Sequence, residues 1–259
     1  MDDLERIHEA LQKAVAAISP FVPGAVKADQ KPLGRGPVTE ADRVADRVLR
    51  EALLREGEGW LSEESTDDPA RLDKQRVWVV DPLDGTLEFV AGIPEWCVSV
   101  ALVEKGKAVA GGISNPATGE MFLGSVAGGL TYNGKRTHAS ALTKLEGAVV
   151  LASRSEVKRG EWEPFRNAPL VIRPTGSVAY KLALVAAGLA DATWTLTPKS
   201  EWDVAAGVAL VLAGGGFVEC LDASAPTFNN PSPRLSGLIT GGSALREQIR
   251  ELIVSLTGT

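Results

Sequence analysis

The sequence predicts an α+β fold, a layered sandwich in which runs of strands pack against layers of helices. Three observations predict it. Short apolar runs separated by turn residues dominate residues 76–137, stretches with helical spacing of apolar residues stand at both ends, and two more helical stretches alternate with later strands. A chain of 259 residues with 44% apolar content can bury a large core. We therefore expect a single domain, 1–259, of two lobes that meet near residue 140, about 1–140 and about 141–259.

The charge balance limits the partners of this chain. Its formal net charge of -6 and its pI near 5.2 argue against a nucleic-acid polymer or an anionic membrane surface, because both attract positive proteins. The opening run MDDLERIHEALQKAVAAI mixes charged and apolar residues, which is typical of an amphipathic helix and not of a signal peptide. Since no stretch approaches the roughly 18 apolar residues of a membrane span, we expect a cytoplasmic location.

Cysteine and histidine are too sparse for a zinc site of the usual kind. Cys97 and Cys220 both lie in apolar runs, which predicts buried free thiols. His8 and His138 are far from any cysteine cluster. A metal ion in this protein would therefore be held by oxygen ligands.

The first half of the chain predicts two helices followed by an antiparallel meander. The first helix ends near Ile18, and the polar stretch KADQKPLGRGP is a loop that leads into a second helix, VTEADRVADRVLREALLRE. RVWVVD is a buried strand ending in the turn sequence DPLDGT. CVSVALV and KAVAGGI form two strands joined by a tight EKGK turn, and Asn133-Gly134 marks another hairpin.

The second half alternates strands with helices. VVLAS, LVIRP, DATWTL, GFVEC and GLIT are predicted strands. SVAYKLALVAAG is a predicted helix with Ser177 as its N-cap and Gly188 at its C-terminal end. DVAAGVALVLAGG and SALREQIRELIVSL complete the set of helices.

The strongest chemical feature is the hexapeptide from Asp81 to Thr86, DPLDGT, at the end of an apolar strand. Two carboxylates three residues apart on a turn can converge on one or two hard cations. A helix beginning after Gly85 would add backbone N–H groups, which favour a bound anion. An ordinary strand-to-helix turn with capping aspartates is the alternative interpretation of this string taken alone.

Further acidic residues stand at two other places. Glu63 and Glu64 follow Trp60-Leu61, and Asp203 opens an apolar helix after Trp202. Alone, an acidic pair is usually a solvated surface and an aspartate at a helix start is usually a cap. Each signal is weak by itself.

Together these segments resemble the inositol monophosphatase superfamily. LSEES, DPLDGT and WDVAAG with its following AGG are similar to the three signature blocks of that superfamily, in the same order, and VTEAD and GSVAYKLALVAAGLADA extend the similarity over nearly the whole chain. The resemblance implies a layered αβαβα sandwich of the inositol monophosphatase and fructose-1,6-bisphosphatase type. It also implies that the first lobe binds metal.

The resemblance further implies a Mg²⁺-dependent, lithium-sensitive phosphomonoesterase with two to three metal ions. Glu63, Asp81 and the Leu83 carbonyl would hold the first ion, and Asp81, Asp84 and Asp203 the second, while Glu63 also reaches a third. These oxygen ligands suit Mg²⁺.

The same resemblance assigns the catalytic roles. Asp42 would accept a hydrogen bond from Thr86, and Thr86 with Glu63 would orient the attacking water. The amides of Gly85 and Thr86 would bind phosphate. Expected partners are a small phosphate ester and, from the family alone, a second copy of the chain in a homodimer.

Substrate choice rests on fewer residues. Ser177, Lys181 and Asp203 are the predicted substrate contacts. GTLEF with Glu88, together with Lys181 in GSVAYK, resembles the 3'(2'),5'-bisphosphate nucleotidase branch, which implies 3'-phosphoadenosine 5'-phosphate as the substrate, while a solvated helix lysine is the alternative interpretation of Lys181. Inositol 1-phosphate is the first alternative, since GIPEWCVSVALVEKGKAVAGGI resembles the inositol branch, although Thr195 and Leu196 stand where that branch has an acidic residue.

Two other interpretations differ more. Fructose 1,6-bisphosphate would need basic residues such as Lys27, Lys31 and Arg35 of the polar loop, which a solvated loop explains better. A non-enzymatic binding protein of the same fold is disfavoured, because all four carboxylates are present.

Overall fold

The α+β class is confirmed by a computed structural model that describes residues 2–30 and 36–258. The helices in that part of the chain are α1 Asp3–Ile18, α2 Glu40–Leu53, α3 Thr86–Ala91, α4 Arg154–Lys158, α5 Val178–Ala186, α6 Glu201–Ala213 and α7 Arg246–Thr257, with short 3₁₀ turns at Pro69–Asp73, Glu163–Phe165 and Ser243–Leu245. The strands are β1 Ala28–Gln30, β2 Pro37–Thr39, β3 Gly59–Ser62, β4 Arg76–Asp84, β5 Cys97–Glu104, β6 Lys107–Asn115, β7 Glu120–Ser125, β8 Gly129–Tyr132, β9 Lys135–Thr137, β10 Ala148–Ser153, β11 Leu170–Thr175, β12 Ala192–Thr195, β13 Lys199–Ser200, β14 Gly216–Glu219, β15 Arg234–Leu235 and β16 Leu238–Gly242.

A seven-stranded sheet runs in the order β3-β4-β5-β6-β7-β8-β9. The predicted antiparallel meander accounts for β4 to β9, and β3 adds to it as a parallel edge strand. The two predicted hairpin turns are confirmed, because Lys105-Gly106 and Asn133-Gly134 both have positive φ at their two central residues.

A five-stranded sheet has the order β11-β10-β12-β16-β14. β11, β10 and β12 are mutually parallel, whereas β16 is antiparallel to both of its neighbours. This sheet comes from residues 148–242 and the larger one from residues 59–137, yet α6 packs against the larger sheet. The division into two lobes near residue 140 stays a prediction.

Three clusters of buried apolar residues lie between the five layers of the fold. α1 and α2 cover one face of the larger sheet, with Trp78 and Leu102 buried between them. α5 and α6 fill the space between the two sheets, and α7 covers the outer face of the smaller sheet around Trp194. The order of the layers is therefore αβαβα.

The polar loop before α2 differs from its prediction. Ala28–Gln30 pairs antiparallel with Pro37–Thr39, so the described part of this stretch is a small ribbon and not an open loop. Lys27 is exposed, while Lys31 and Arg35 lie outside the described residues. Strands are predicted from alternating apolar and polar residues, and a segment of three residues is too short to show that alternation.

The structure also bears on the predicted buried thiols and on membrane-spanning helices. Cys97 and Cys220 are free and buried, as predicted. Among the helices in the described ranges, none has the length and apolar character needed to cross a bilayer.

The packing of α5 on α6 yields a stability prediction. A Cβ added at Gly207 would overlap the Leu182 side chain, so Gly207→Ala should lower the free energy of unfolding by about 1–3 kcal/mol. An unhindered Gly→Ala change inside a helix would instead stabilise by up to about 1 kcal/mol. Denaturant unfolding of the two proteins measures the sign directly.

A double-mutant cycle with Leu182→Ala supplies the control. In that background the added methyl has room, and Gly207→Ala should become neutral or stabilising. Equal destabilisation in both backgrounds would contradict the packing explanation.

Candidate active site

The carboxyl ends of β3 and β4 bring Glu63 and Asp81 side by side. Ser62 pairs with Val80 in parallel register, and Glu63 N donates to Val80 O at 3.3 Å. The next residue of each strand is acidic. Parallel strands end at the same edge of a sheet, so the two carboxylates emerge together.

The turn after β4 depends on a glycine. Asp81 Oδ1 accepts a hydrogen bond from Leu83 N at 3.0 Å, and the pairing with β5 shifts register between Asp81 and Asp84. Gly85 then adopts φ 97°, and a Cβ there would lie 2.9 Å from Glu95 O. Only glycine fits this position, which allows α3 to begin directly at Thr86.

Asp84 connects this turn to α5. Its Oδ2 accepts hydrogen bonds from Ser177 Oγ and from Ala179 N, each at 2.6 Å. Ser177 also caps α5 by accepting from Tyr180 N at 3.0 Å. A carboxylate at a helix N-terminus is favoured by the helix dipole, so the start of α5 holds Asp84 in place.

Asp203 reaches the site from the first turn of α6. Its Oδ2 accepts from Ser200 N at 3.0 Å in a capping box, so it is the third residue of the helix and not its N-cap. The buried Glu201 beside it accepts hydrogen bonds from Asn229 N at 2.7 Å and Asn230 N at 3.0 Å. This clamp fixes the start of the helix.

Asp42 and Thr86 lie in contact below the turn. Thr86 Oγ1 donates to Asp42 Oδ1 at 3.1 Å, and Thr39 donates to Asp42 Oδ2 through N at 2.8 Å and Oγ1 at 2.6 Å. Leu83 O, at 3.2 Å, is a second acceptor for the Thr86 hydroxyl, and with its proton directed at either one the oxygen keeps lone pairs that can accept from a water.

A single cavity of about 250 Å³ joins nearly all of these groups. The predicted site residues that line it are Glu63, Asp81, Leu83, Asp84, Gly85, Thr86, Ser177, Lys181 and Asp203. Asp42 lies behind Thr86 and does not line the cavity. The roles assigned to these residues stay predictions.

Crowding of negative charge perturbs the acids of the cavity. Burial, together with the charges of Asp84 and Glu63, raises the pKa of Asp203 to about 8. Burial also raises the pKa of Glu88, with Asp84 adding to the effect. Removing this repulsion requires a cation between the carboxylates or protons on them.

The donor set suits a hard divalent cation. Four carboxylates and the backbone carbonyl at Leu83 offer oxygen ligands around one cavity. The thiol of Cys97 contacts Ser177, with Sγ 3.4 Å from Ser177 Oγ. Within residues 2–30 and 36–258, however, no three Asp, Glu, His or Cys side chains are arranged in this structure so that together they could hold a metal ion. The side chains of Asp84 and Asp203 instead accept hydrogen bonds from the starts of α5 and α6. Mutual repulsion between the carboxylates favours this arrangement.

Three residues of this region were missed by the sequence analysis. Asp46 accepts from Ser62 Oγ at 2.5 Å and Ser65 Oγ at 2.6 Å, which anchors the loop of Glu63. Glu156 and Lys199 form a buried ion pair beside Lys181. The only available signal was the spacing of Asp42 and Asp46, four residues apart on the buried face of α2.

The comparisons with known proteins agree with this architecture. The sequence profile of the inositol monophosphatase family matches residues 3–257. A protein named inositol-1-monophosphatase from Mesorhizobium japonicum is 38% identical, over 75% of this chain and 76% of its own length. One from Thermotoga maritima, named fructose-1,6-bisphosphatase/inositol-1-monophosphatase, is 33% identical over 70% of each chain.

A solved structure extends the likeness to three dimensions. The crystal structure of the extragenic suppressor protein suhB from Bartonella henselae superposes with a TM-score of 0.82 at 31% identity, covering 96% of this chain and 97% of that one. The similarity therefore extends over nearly the whole fold.

The crowded carboxylates predict an unusual pH dependence in metal-free protein. Unfolded Asp203 titrates near about 3.9, below its raised folded value, so the free energy of unfolding should fall as pH rises from about 4 to 8. Asp203→Asn keeps an acceptor for Ser200 N and should raise the free energy of unfolding at pH 8 by roughly 1–3 kcal/mol. Denaturant unfolding in EDTA between pH 5 and 9 measures the difference.

Asp73→Asn, at an exposed aspartate, is the matched control and should change little. Added Mg²⁺ should stabilise the wild type more than Asp203→Asn. Equal stability of Asp203→Asn and wild type across the pH range would contradict the repulsion.

Proposed function

This chain belongs to the inositol monophosphatase family, and from that premise we propose that it is a Mg²⁺-dependent phosphatase for 3'-phosphoadenosine 5'-phosphate. Family members are phosphomonoesterases, so the chain is a phosphoric monoester hydrolase, and the family uses Mg²⁺. The proposal adds the ligand assignment, the roles of individual residues and the substrate.

The proposed ligands are the acids that line the cavity. Glu63 and Asp81 would hold one ion with the Leu83 carbonyl, and Asp84 and Asp203 would share a second with Asp81, giving two to three ions in all. Bound Mg²⁺ supplies Lewis-acid charge that acidifies water and neutralises phosphate oxygens. The fit is supported by the repulsion that raises the pKa of Asp203, since a cation would relieve it.

Water activation in this proposal uses a short relay. The Thr86 hydroxyl donates a hydrogen bond to Asp42, so its oxygen can accept a hydrogen bond from the attacking water. Glu63, which directly follows the neighbouring strand, would accept a hydrogen bond from the second O–H group of that water and so orient it. The relay requires no nucleophile from the protein.

Phosphate would lie at the start of α3. The N–H groups of Gly85 and Thr86 are proposed to donate to its oxygens, and both residues line the cavity. In-line attack would then break the ester P–O bond and expel the alkoxide toward the start of α5, where Ser177 and Lys181 lie, and the alkoxide would take up a proton from water. Asp203 closes this side of the cavity.

The choice of substrate is carried by Lys181. It lines the same cavity as the carboxylates, is only 4% exposed, and donates a hydrogen bond to Ser177 O at 2.9 Å. Burial lowers the pKa of its ammonium, while Asp84 and Glu156 oppose the shift. A cation at this depth suits a leaving group that carries its own phosphate, as the bisphosphate nucleotide does.

Inositol 1-phosphate is the second candidate, favoured by the names of the relatives. Recognition of its ring hydroxyls would call for an acceptor on the leaving-group side. Thr195 and Leu196 offer no carboxylate there, and Glu156 already accepts from Thr195 Oγ1 at 2.6 Å. The nucleotide therefore remains the better match.

Removal of Asp84 tests the proposed metal site. Asp84→Ala should lower Mg²⁺-dependent phosphate release by more than roughly 100-fold, since even residues that only support metal ligands cost 10–100-fold. Release of inorganic phosphate at saturating Mg²⁺ measures the loss. Retained turnover with an intact fold would refute the assignment.

Two variants separate chemistry from folding. Asp84→Asn keeps an acceptor for Ser177 and Ala179 and should be equally inactive with near-normal thermal stability. Asp73→Ala, at an exposed aspartate, should leave turnover unchanged.

A substrate panel tests the leaving group. 3'-Phosphoadenosine 5'-phosphate should show a higher kcat/KM than inositol 1-phosphate or fructose 1,6-bisphosphate, and lithium should inhibit turnover. Lys181→Met should reduce kcat/KM for the nucleotide by roughly tenfold or more, and for inositol 1-phosphate by less. Initial rates with and without lithium supply all of these values.

Lys144→Met removes an exposed lysine and serves as the control. If inositol 1-phosphate is the best substrate and Lys181→Met affects both esters equally, the nucleotide assignment is wrong and the family phosphatase activity stands.

A further inference from the structure

We propose that Lys199, held in place by Glu156, is a specificity-determining residue that binds a second phosphate on the leaving group. The inference deepens the proposed function and rests on it for the use of the cavity as the substrate site. Neither residue was a predicted site residue. They lie 43 positions apart in the sequence, so their pairing emerges only from the fold.

Lys199 stands at a junction of the site. It belongs to the two-residue strand β13 directly before α6, the helix that carries Asp203. Its side chain lines the same 250 Å³ cavity as the carboxylates and is 15% exposed. A single segment therefore presents a cation and a proposed metal ligand to one cavity.

Glu156 explains why the lysine stays in this position. The Glu156 side chain is only 3% exposed, and its Oε1 accepts from Lys199 Nζ at 2.9 Å. Trp162 Nε1 donates to the other oxygen at 3.2 Å, and Thr195 Oγ1 donates to the first at 2.6 Å. A buried carboxylate with three kinds of donor is a fixed anchor, which limits the motion of the ammonium.

The Lys199 ammonium is held by hydrogen bonds that do not use all of its N–H donors. Its hydrogen-bond acceptors in this structure are Glu156 and Thr197 Oγ1, the latter at 3.3 Å. An ammonium carries three N–H donors, so one donor remains to reach a ligand in the cavity. Binding such a ligand does not require breaking the buried ion pair.

Lys181 reinforces the positive wall. Lys199 and Lys181 are near enough that the charge of Lys199 contributes to lowering the pKa of Lys181. A small cavity of about 10 Å³, room for about one water, is lined by Lys181, Lys199 and Glu156 among other residues. Two basic side chains and one acidic side chain therefore meet at this wall.

The cavity carries charges of both signs. Its charged lining residues are Glu63, Asp81, Asp84, Glu88, Asp203, Lys181 and Lys199. Metal ions held by the proposed carboxylate ligands would bind one phosphate, so a ligand with a second phosphate gives the lysines an anion to bind, whereas a neutral polyol does not. The hydroxyls of Ser153 and Ser155 line the same cavity and can donate to phosphate oxygens.

The test uses matched pairs of esters on one scaffold. Adenosine 3'-phosphate is compared with 3'-phosphoadenosine 5'-phosphate, and fructose 1-phosphate with fructose 1,6-bisphosphate. The readout is the ratio of kcat/KM for bisphosphate to monophosphate within each pair. Wild type should prefer the bisphosphate in at least one pair, and Lys199→Met should reduce that preference by roughly tenfold, the value of one charge-assisted hydrogen bond.

Lys158→Met, at an exposed lysine of α4, should leave the ratio unchanged. Lys199→Met leaves Glu156 without its cation and could fail to fold, so the double variant Glu156→Gln/Lys199→Met removes both charges and should lose the preference equally.

The outcomes are distinct. An unchanged ratio in the variants, an equal fall for both members of a pair, or no bisphosphate preference in wild type would overturn the role of Lys199. If the nucleotide is a poor substrate but the fructose pair shows a Lys199-dependent preference, the proposed nucleotide is wrong and the role of Lys199 stands.

Discussion

Like charges gathered around one cavity are the constraint on which the rest of this site depends. Glu63, Asp84 and Asp203 come from the end of an edge strand, a turn and a helix, and the charges of Asp84 and Glu63 contribute with burial to raising the pKa of Asp203. Such an arrangement costs folding energy unless neighbouring groups hold each side chain in place. The caps of α5 and α6 do this by donating hydrogen bonds to Asp84 and Asp203.

The layered architecture serves this constraint. The larger sheet and the turn at the end of β4 deliver Glu63, Asp81 and Asp84, whereas α6, packed between the sheets, delivers Asp203. Close packing of α5 and α6 at Gly207 joins the helix whose start holds Asp84 to the helix that carries Asp203.

The sequence was sufficient for the fold class, for most helices and strands, and for the acids of the cavity. Periodicity and turn residues such as Asn133-Gly134 encode the helices and strands locally, whereas the acids were identified through the resemblance of LSEES, DPLDGT and WDVAAG to the family's signature blocks. β3 and the β1–β2 ribbon were missed, because three or four residues carry too little pattern to distinguish a strand from a loop. Glu156 and Lys199 were missed for another reason, since their pairing depends on the five-residue helix α4 meeting the segment before α6.

β3 has a consequence beyond geometry. It is four residues long, pairs with β4 on one side only, and carries Glu63 at its end. Short edge strands open at lower free energy than the interior of a sheet. The meander from β4 to β9 does not need β3 for its own pairing, so the placement of Glu63 can be lost while the rest of the sheet stays intact. Selection for a robust site would therefore act on the hydrogen bonds that Asp46 accepts from Ser62 and Ser65 before it acts on the core.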